Sequence, residues 1–152
     1  MSLPASDTSK KPDMRTTMDL GEVLPRTAEV RDNHLFIGGV DMVKLAHEEG
    51  TALYVFDEAD LRFRMESYRE SFHSRYANSD IAYASKAFLN KEVVRIANEE
   101  GMCLDVSGGG ELACAQMAGF PMERVVVHGN NKTPAELTEA ISAGVGRIVV
   151  DS

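Results

Sequence analysis

Between residues 81 and 150, short apolar runs recur at an almost constant step, and that period restricts the fold more than any other feature of the chain. The runs begin near Ile81, Cys103, Val125 and Ile148, spaced 22, 22 and 23 residues apart. Helical segments fill the gaps, at Lys91 to Glu100, Gly110 to Ala118 and Pro134 to Ala143. Gly101, Gly119 and Gly144 fall just past the ends of these helices, where a left-handed residue is wanted. Thr133-Pro134-Ala135-Glu136 reads as a helix start, with proline in the first turn and a carboxylate at the positive end. Alternating strands and helices imply a parallel sheet. Strands this rich in Val and Ile are expected to be buried on both faces. The equal step leans towards a barrel over a doubly wound sheet without deciding between them.

The first part of the chain reads differently. Residues 1–28 are polar and aperiodic, as expected of a disordered tail. Residues 29–57 form a leading strand and helix segment. His34 to Ile37 is a short strand closed by Gly38-Gly39, Asp41 caps a helix through His47, and Gly50 ends it. Leu53 to Phe56 reads as a further strand. Asp57 then caps a longer helix, Glu58 to Ser74, with Leu61, Met65, Tyr68 and Phe72 on one face.

Composition excludes several function classes. The net charge of −8 argues against nonspecific nucleic-acid binding. No apolar run reaches the ~18 residues of a membrane-spanning helix, and Met1 to Lys11 has no apolar core of a secretory signal. Cys103 and Cys114 lack CxxC spacing and a small secreted context, so both read as reduced core thiols with no metal site. A cytoplasmic location is the expectation.

The candidate chemistry collects at the carboxyl ends of the strands. Ile81-Ala82-Tyr83-Ala84-Ser85-Lys86 is an apolar run ending in one lysine. Desolvation favours a neutral amine, the form that adds to a carbonyl. The plainer reading is a surface lysine that ends a strand. Asp105 follows Met102-Cys103-Leu104 and also ends a strand, where it serves either an active site or as a helix N-cap. Glu111 lies past the Ser107 to Gly110 turn, as a site residue or a first-turn dipole partner. His128 closes Val125-Val126-Val127, lining a pocket or serving structure. Lys132 could cap its loop or be surface charge, and surface charge is the preferred reading. Gly108-Gly109-Gly110 opens a helix, a generic anion site and a weak phosphate candidate.

Several of these segments fall in a recognisable order. Tyr83-Ala84-Ser85-Lys86-Ala87, Leu104-Asp105-Val106-Ser107-Gly108-Gly109-Gly110-Glu111-Leu112 and His128-Gly129-Asn130-Asn131-Lys132 resemble the diaminopimelate decarboxylases. The tail Gly144 to Ser152 and His34-Leu35-Phe36-Ile37-Gly38-Gly39-Val40 resemble that family too, so the likeness covers roughly residues 30–152. These are pyridoxal-phosphate (PLP) enzymes of the alanine-racemase-like type.

The resemblance implies an α/β fold, a parallel (β/α)8 barrel followed by a β-rich domain. Residues 58–152 would supply about the first half of the barrel, and the strand near residues 34–37 would associate with the β-rich domain. The chain would lack the phosphate cradle, the partner of the pyridine nitrogen and the substrate carboxylate ligands. Lys86 matches the family's Schiff-base lysine. Asp105 and Glu111 match acidic positions near it, and His128 matches in the motif, though the ring-stacking histidine belongs to a later strand. The implied activity is decarboxylation of meso-diaminopimelate to L-lysine, with pyridoxal 5'-phosphate as cofactor and a homodimer or other homo-oligomer as the assembly. The alternatives are a related arginine, ornithine or carboxypolyamine decarboxylase, or a truncated, non-catalytic module for binding or oligomerisation. As an isolated chain it is expected to bind the cofactor poorly, to be inactive and to self-associate.

Overall fold

The structure is a computed structural model that describes residues 23–150. The expected tail falls outside the described residues as far as residue 22. Two compact units meet at the Asp57/Glu58 boundary.

The first unit is a small antiparallel sheet in the order β1 (Glu29–Arg31), β2 (His34–Ile37), β3 (Val40–Asp41). Arg31 pairs with His34 across Asp32-Asn33, whose φ values are 48° and 64°. Ile37 pairs with Val40 across Gly38-Gly39, with φ of 58° and 79°. Both are two-residue hairpin turns with two positive φ angles, which Asn, Asp and Gly tolerate. Helix α1 (Met42–Glu49) follows directly. The Asp41 side chain accepts from the Val43 and Lys44 backbone N–H groups at 2.9 and 3.1 Å, and it bonds the His34 ring at 2.8 Å.

The expected strand at Leu53 to Phe56 does not form. The segment is extended but joins no ladder among the described residues, and Tyr54 is 94% exposed. A strand pattern becomes a strand only where a neighbour satisfies its backbone.

The second unit opens with α2 (Glu58–His73) and then alternates: β4 (Ala82–Ala84), α3 (Lys91–Glu99), β5 (Cys103–Val106), α4 (Gly109–Met117), β6 (Val125–Val127), α5 (Pro134–Ala143), β7 (Arg147–Ile148). The four strands are parallel and lie in chain order, β4-β5-β6-β7. Chain order without a reversal is how a barrel winds; a doubly wound sheet reverses at a switch point. The α/β fold with a parallel sheet is therefore as expected.

Register divides the sheet into two faces. Ala84, Asp105, Val126 and Arg147 form one row across all four strands. Tyr83, Leu104 and Val125 form the row before it, and side chains alternate between faces along a strand. Leu104, Val106, Val125 and Val127 are buried against Met65 of α2, Val94 and Ala97 of α3, Leu112 and Ala115 of α4, and Ala140 of α5. Burying such a side chain is worth about 1.5–3 kcal/mol. The row of Ala84, Asp105, Val126 and Arg147 stays partly or fully exposed. Burial on both faces is thus only partial: Cys103 is buried on this face as well, while Ala84, Asp105, Val126 and Arg147 stay accessible because the helices pack on the other face.

Helix α2 uses half of its apolar stripe. Leu61 and Met65 pack on the core, while Tyr68 and Phe72 remain exposed. Arg62 ties α2 to the end of α3, donating to Glu100 at 2.7 Å and Glu99 at 2.6 Å as well as to Glu58. These carboxylates hold its pKa above the usual guanidinium value.

Two features pin the last βα step. Gly146 has no room for a side chain, since a Cβ there would lie 1.9 Å from the Glu123 carbonyl oxygen. Its N–H reaches the carbonyls of Met122 and Val125 at 3.0 and 3.1 Å, which brings β7 to β6. Helix α5 begins with a full capping box: Thr133 Oγ1 accepts from the Glu136 N–H, and the Glu136 carboxylate accepts from the Thr133 N–H at 2.9 Å.

Gly146→Ala should cost about 1–3 kcal/mol through that overlap, read as a lower urea midpoint with an unchanged slope. Glu136 has its pKa lowered by the Thr133 N–H, the Thr133 hydroxyl and the Gly109 N–H. A depressed carboxylate contributes stability above its unfolded pKa and loses it as pH falls through the folded value. The stability gap between the parent and Glu136→Gln should therefore be full at pH 7 and close as pH is lowered through and below the ordinary glutamate range. Urea titrations across that range measure it, and a gap that widens on acidification would contradict the assignment.

Candidate functional site

The carboxyl ends of β4, β5 and β6 form one rim. A parallel sheet sends every strand's end to the same side, so residues far apart in sequence meet there. Strand β4 stops at Ala84 and runs into a single 3-10 turn, Ser85–Ala87. Lys86 lies in the middle of that turn and is exposed. The Tyr83 hydroxyl donates to the Phe88 carbonyl at 2.7 Å across the same turn. Burial pushes the Tyr83 phenol up. Asn90 then caps α3, its side chain accepting from the Val93 N–H at 2.8 Å.

Asp105 lies on the neighbouring strand, level with Ala84 and Val126 and on their face of the sheet. It is not a helix N-cap, since Gly108 holds that position for α4. Its Oδ1 is buried and accepts no hydrogen bond from the protein. The His128 Nδ1 lies 3.7 Å away, beyond hydrogen-bond reach. His128 follows β6 and extends its ladder, its N–H donating to Val106 O at 2.8 Å. Both side chains point from the rim into the uncovered side of the sheet.

Glu111 has a different place. It is the third residue of α4, and its carboxylate accepts from the Ser107 N–H, folding the β5–α4 loop back on the helix start. Lys132 is not plain surface charge. Its ammonium donates to the Gly129 carbonyl and closes the β6–α5 loop. Gly129 has φ of 142°, and a Cβ there would lie 3.2 Å from Ser107 O, so the two loops touch through backbone.

The start of α4 is no open anion site. The Gly109 N–H is drawn to the Glu136 carboxylate, which already supplies the negative charge that a helix amino end favours. The cleft between these loops, lined by Ser107, Gly108, Lys132 and Glu136 among others, has a volume of about 10 Å³. That is room for about one water, not for a phosphate group.

Sequence reasoning located Lys86, Asp105 and His128 on this rim but missed two groups. Tyr83 belongs to the run Tyr83-Ala84-Ser85-Lys86-Ala87, yet nothing in a linear pattern says that its hydroxyl reaches Phe88. Glu136 was read as a first-turn carboxylate, and its second contact, to α4, depends on how α4 and α5 pack. Among the described residues no group of three His, Cys, Asp or Glu side chains could hold a metal ion, and no helix is long and apolar enough to cross a membrane.

Comparison with known proteins places this geometry. The family described as "Pyridoxal-dependent decarboxylase, pyridoxal binding domain" matches residues 58–152, beginning where the second compact unit begins. A diaminopimelate decarboxylase of Mycobacterium bovis is 53% identical over 116 residues, covering 76% of this chain and 25% of that protein. One from Bacillus subtilis is 50% identical over 119 residues, covering 78% of this chain and 27% of its own length. The crystal structure of diaminopimelate decarboxylase from M. jannaschii in complex with L-lysine superimposes with a TM-score of 0.74 at 32% identity, over 84% of this chain and 30% of that one. The chain thus spans about a quarter of the length of the curated relatives it matches. With a family match over more than half of its residues and the same parallel-sheet fold, this chain belongs to the pyridoxal-dependent decarboxylases and carries their pyridoxal-binding domain.

Proposed function

We propose that the protein carrying this chain decarboxylates meso-diaminopimelate to L-lysine, using pyridoxal phosphate linked through Lys86. One observation carries the residue assignment. A lysine stands exposed on the strand-end rim, and on the adjacent strand a buried carboxylate oxygen of Asp105 has no hydrogen-bond donor. A buried acceptor left unmatched is costly unless a partner arrives. An amine or a protonated nitrogen of a bound group is the partner such an oxygen suits.

The residues present fit the cofactor in part. Lys86 supplies the amine that would hold its aldehyde. Asp105 would balance positive charge near that link, and His128 would line the pocket beside it. Glu111 would act through the loop it holds, keeping Ser107 and Gly108 in place. No described loop offers a phosphate cradle, since the α4 start is occupied by Glu136. Bound pyridoxal phosphate supplies an electron sink that lets carbon dioxide leave an amino acid's α-carbon. The chain's own part is to hold the group, orient it and keep counter-charge beside it.

The preference for diaminopimelate over ornithine, arginine or a carboxypolyamine rests on relatives near 50% identity that bear that name, and on the relative solved with L-lysine. Residues 58–152 are proposed as the opening half of a barrel and residues 29–57 as a segment that joins a β-rich domain. A cytoplasmic homodimer is part of the same proposal. Exposed apolar groups such as Tyr68 and Phe72 support burial against further protein.

In the protein that carries this chain, borohydride treatment in the presence of pyridoxal phosphate should leave its covalent label on Lys86. Lys86→Ala should remove the label and bring carbon dioxide release to background, while Lys91→Ala should keep both. Label on Lys91 or Lys132 would overturn the assignment. Asp105→Asn should slow carbon dioxide release by roughly 10²-fold with the label retained. Release faster from ornithine or arginine than from diaminopimelate would overturn the substrate reading.

A further inference from the structure

We propose that Tyr83 is the positioning residue for Lys86: its hydroxyl, donating to the Phe88 carbonyl, closes the turn that carries the lysine and sets where the amine emerges. The inference rests on the reading of Lys86 as the cofactor-linking lysine. It begins from a problem of reach. An exposed lysine on a flexible four-carbon stem samples many positions. Only its backbone can limit them, and productive geometry tolerates little misplacement.

That backbone leaves the sheet at Ala84, makes one 3-10 turn over Ser85–Ala87, and becomes extended again at Phe88 (φ −174°, ψ 134°). Isolated 3-10 turns have poorer hydrogen-bond geometry than α-helices. The bond from Tyr83 to Phe88, at 2.7 Å, spans the whole turn from the strand to the first residue beyond it.

The flanking elements do not need this bond. Strand β4 is held by its ladder to β5. Helix α3 is held by the Asn90 cap and by buried Val94 and Ala97. The Tyr83 ring packs against the core from the helix side of the sheet, opposite Asp105. The hydroxyl alone is therefore the part devoted to the turn. Burial raises the phenol pKa, which favours the protonated hydroxyl that donates.

The test compares the parent protein with Tyr83→Phe, which keeps the ring and deletes the donor. Two readouts are followed: borohydride-trapped capture of pyridoxal phosphate at Lys86, Lys91 and Lys132, and amide exchange over residues 85–89 without cofactor. In Tyr83→Phe, capture at Lys86 should slow roughly five- to tenfold, with Lys91 and Lys132 at background as in the parent. Exchange over 85–89 should quicken while β5 keeps its protection. Unchanged capture at Lys86, or slower capture with exchange over 85–89 unchanged, would overturn the proposal. If the parent protein captures at another lysine, the reading of Lys86 fails. The exchange comparison then still decides whether Tyr83 holds the turn, and unchanged exchange would sink that claim.

Discussion

One-sided burial of a parallel sheet is the constraint on which the rest of the second unit depends. Leu104, Val106, Val125 and Val127 occupy the helix side of β5 and β6 and are almost wholly excluded from water. Their alternation with Asp105 and Val126 leaves no freedom of register, because a shift by one residue would drive the carboxylate into the core. The strand ends are aligned by the same rule. Lys86, Asp105 and His128 therefore share a rim because apolar residues on the opposite face demand it.

The loops above that rim are held by polar contacts that also consume its charges. Glu111 takes the Ser107 N–H, Lys132 takes the Gly129 carbonyl, and Glu136 serves both its own helix start and that of α4. Gly129 lets the two loops approach through backbone alone. Among the described residues, the buried side-chain polar atoms left without a hydrogen-bond partner are Asp105 Oδ1 and Ser85 Oγ. A carboxylate spared from structural duty, beside a lysine whose turn is separately fastened, is the part of this surface with chemistry to spare.

The opposite end of the sheet reads as structure. Arg124 donates to Asn98 at 2.9 Å and to the Met102 carbonyl, and its guanidinium lies over the Phe120 ring at 5.1 Å. Arg147 pairs with Asp80 at 3.1 Å. In barrels the amino-terminal end commonly serves stability, and these contacts at the strand starts hold neighbouring elements together. The Arg95 network on α3 is exposed and that of Arg62 on α2 only partly buried, so they fix helix orientation more than they add stability.

Local patterns in the sequence were enough to place the alternating strands and helices of the second unit. The 22-residue step, the Gly101, Gly119 and Gly144 caps and the Thr133 box all correspond to features of the structure, with φ of 73°, 71° and 76° at the three glycines. Such signals act within a few residues and need no partner. Lys86, Asp105 and His128 were legible as strand-end residues for the same reason. Tertiary structure alone decided which patterns were used. Leu53 to Phe56 carries a strand's residues without a strand's neighbour, and Tyr68 and Phe72 carry a core stripe without a core beside them. It also decided that the helices pack on one face of the sheet, that Glu111 accepts from the Ser107 N–H, and that the Tyr83 hydroxyl reaches the Phe88 carbonyl. Each of these depends on a group brought near by folding, and periodicity along the chain does not record which group that is.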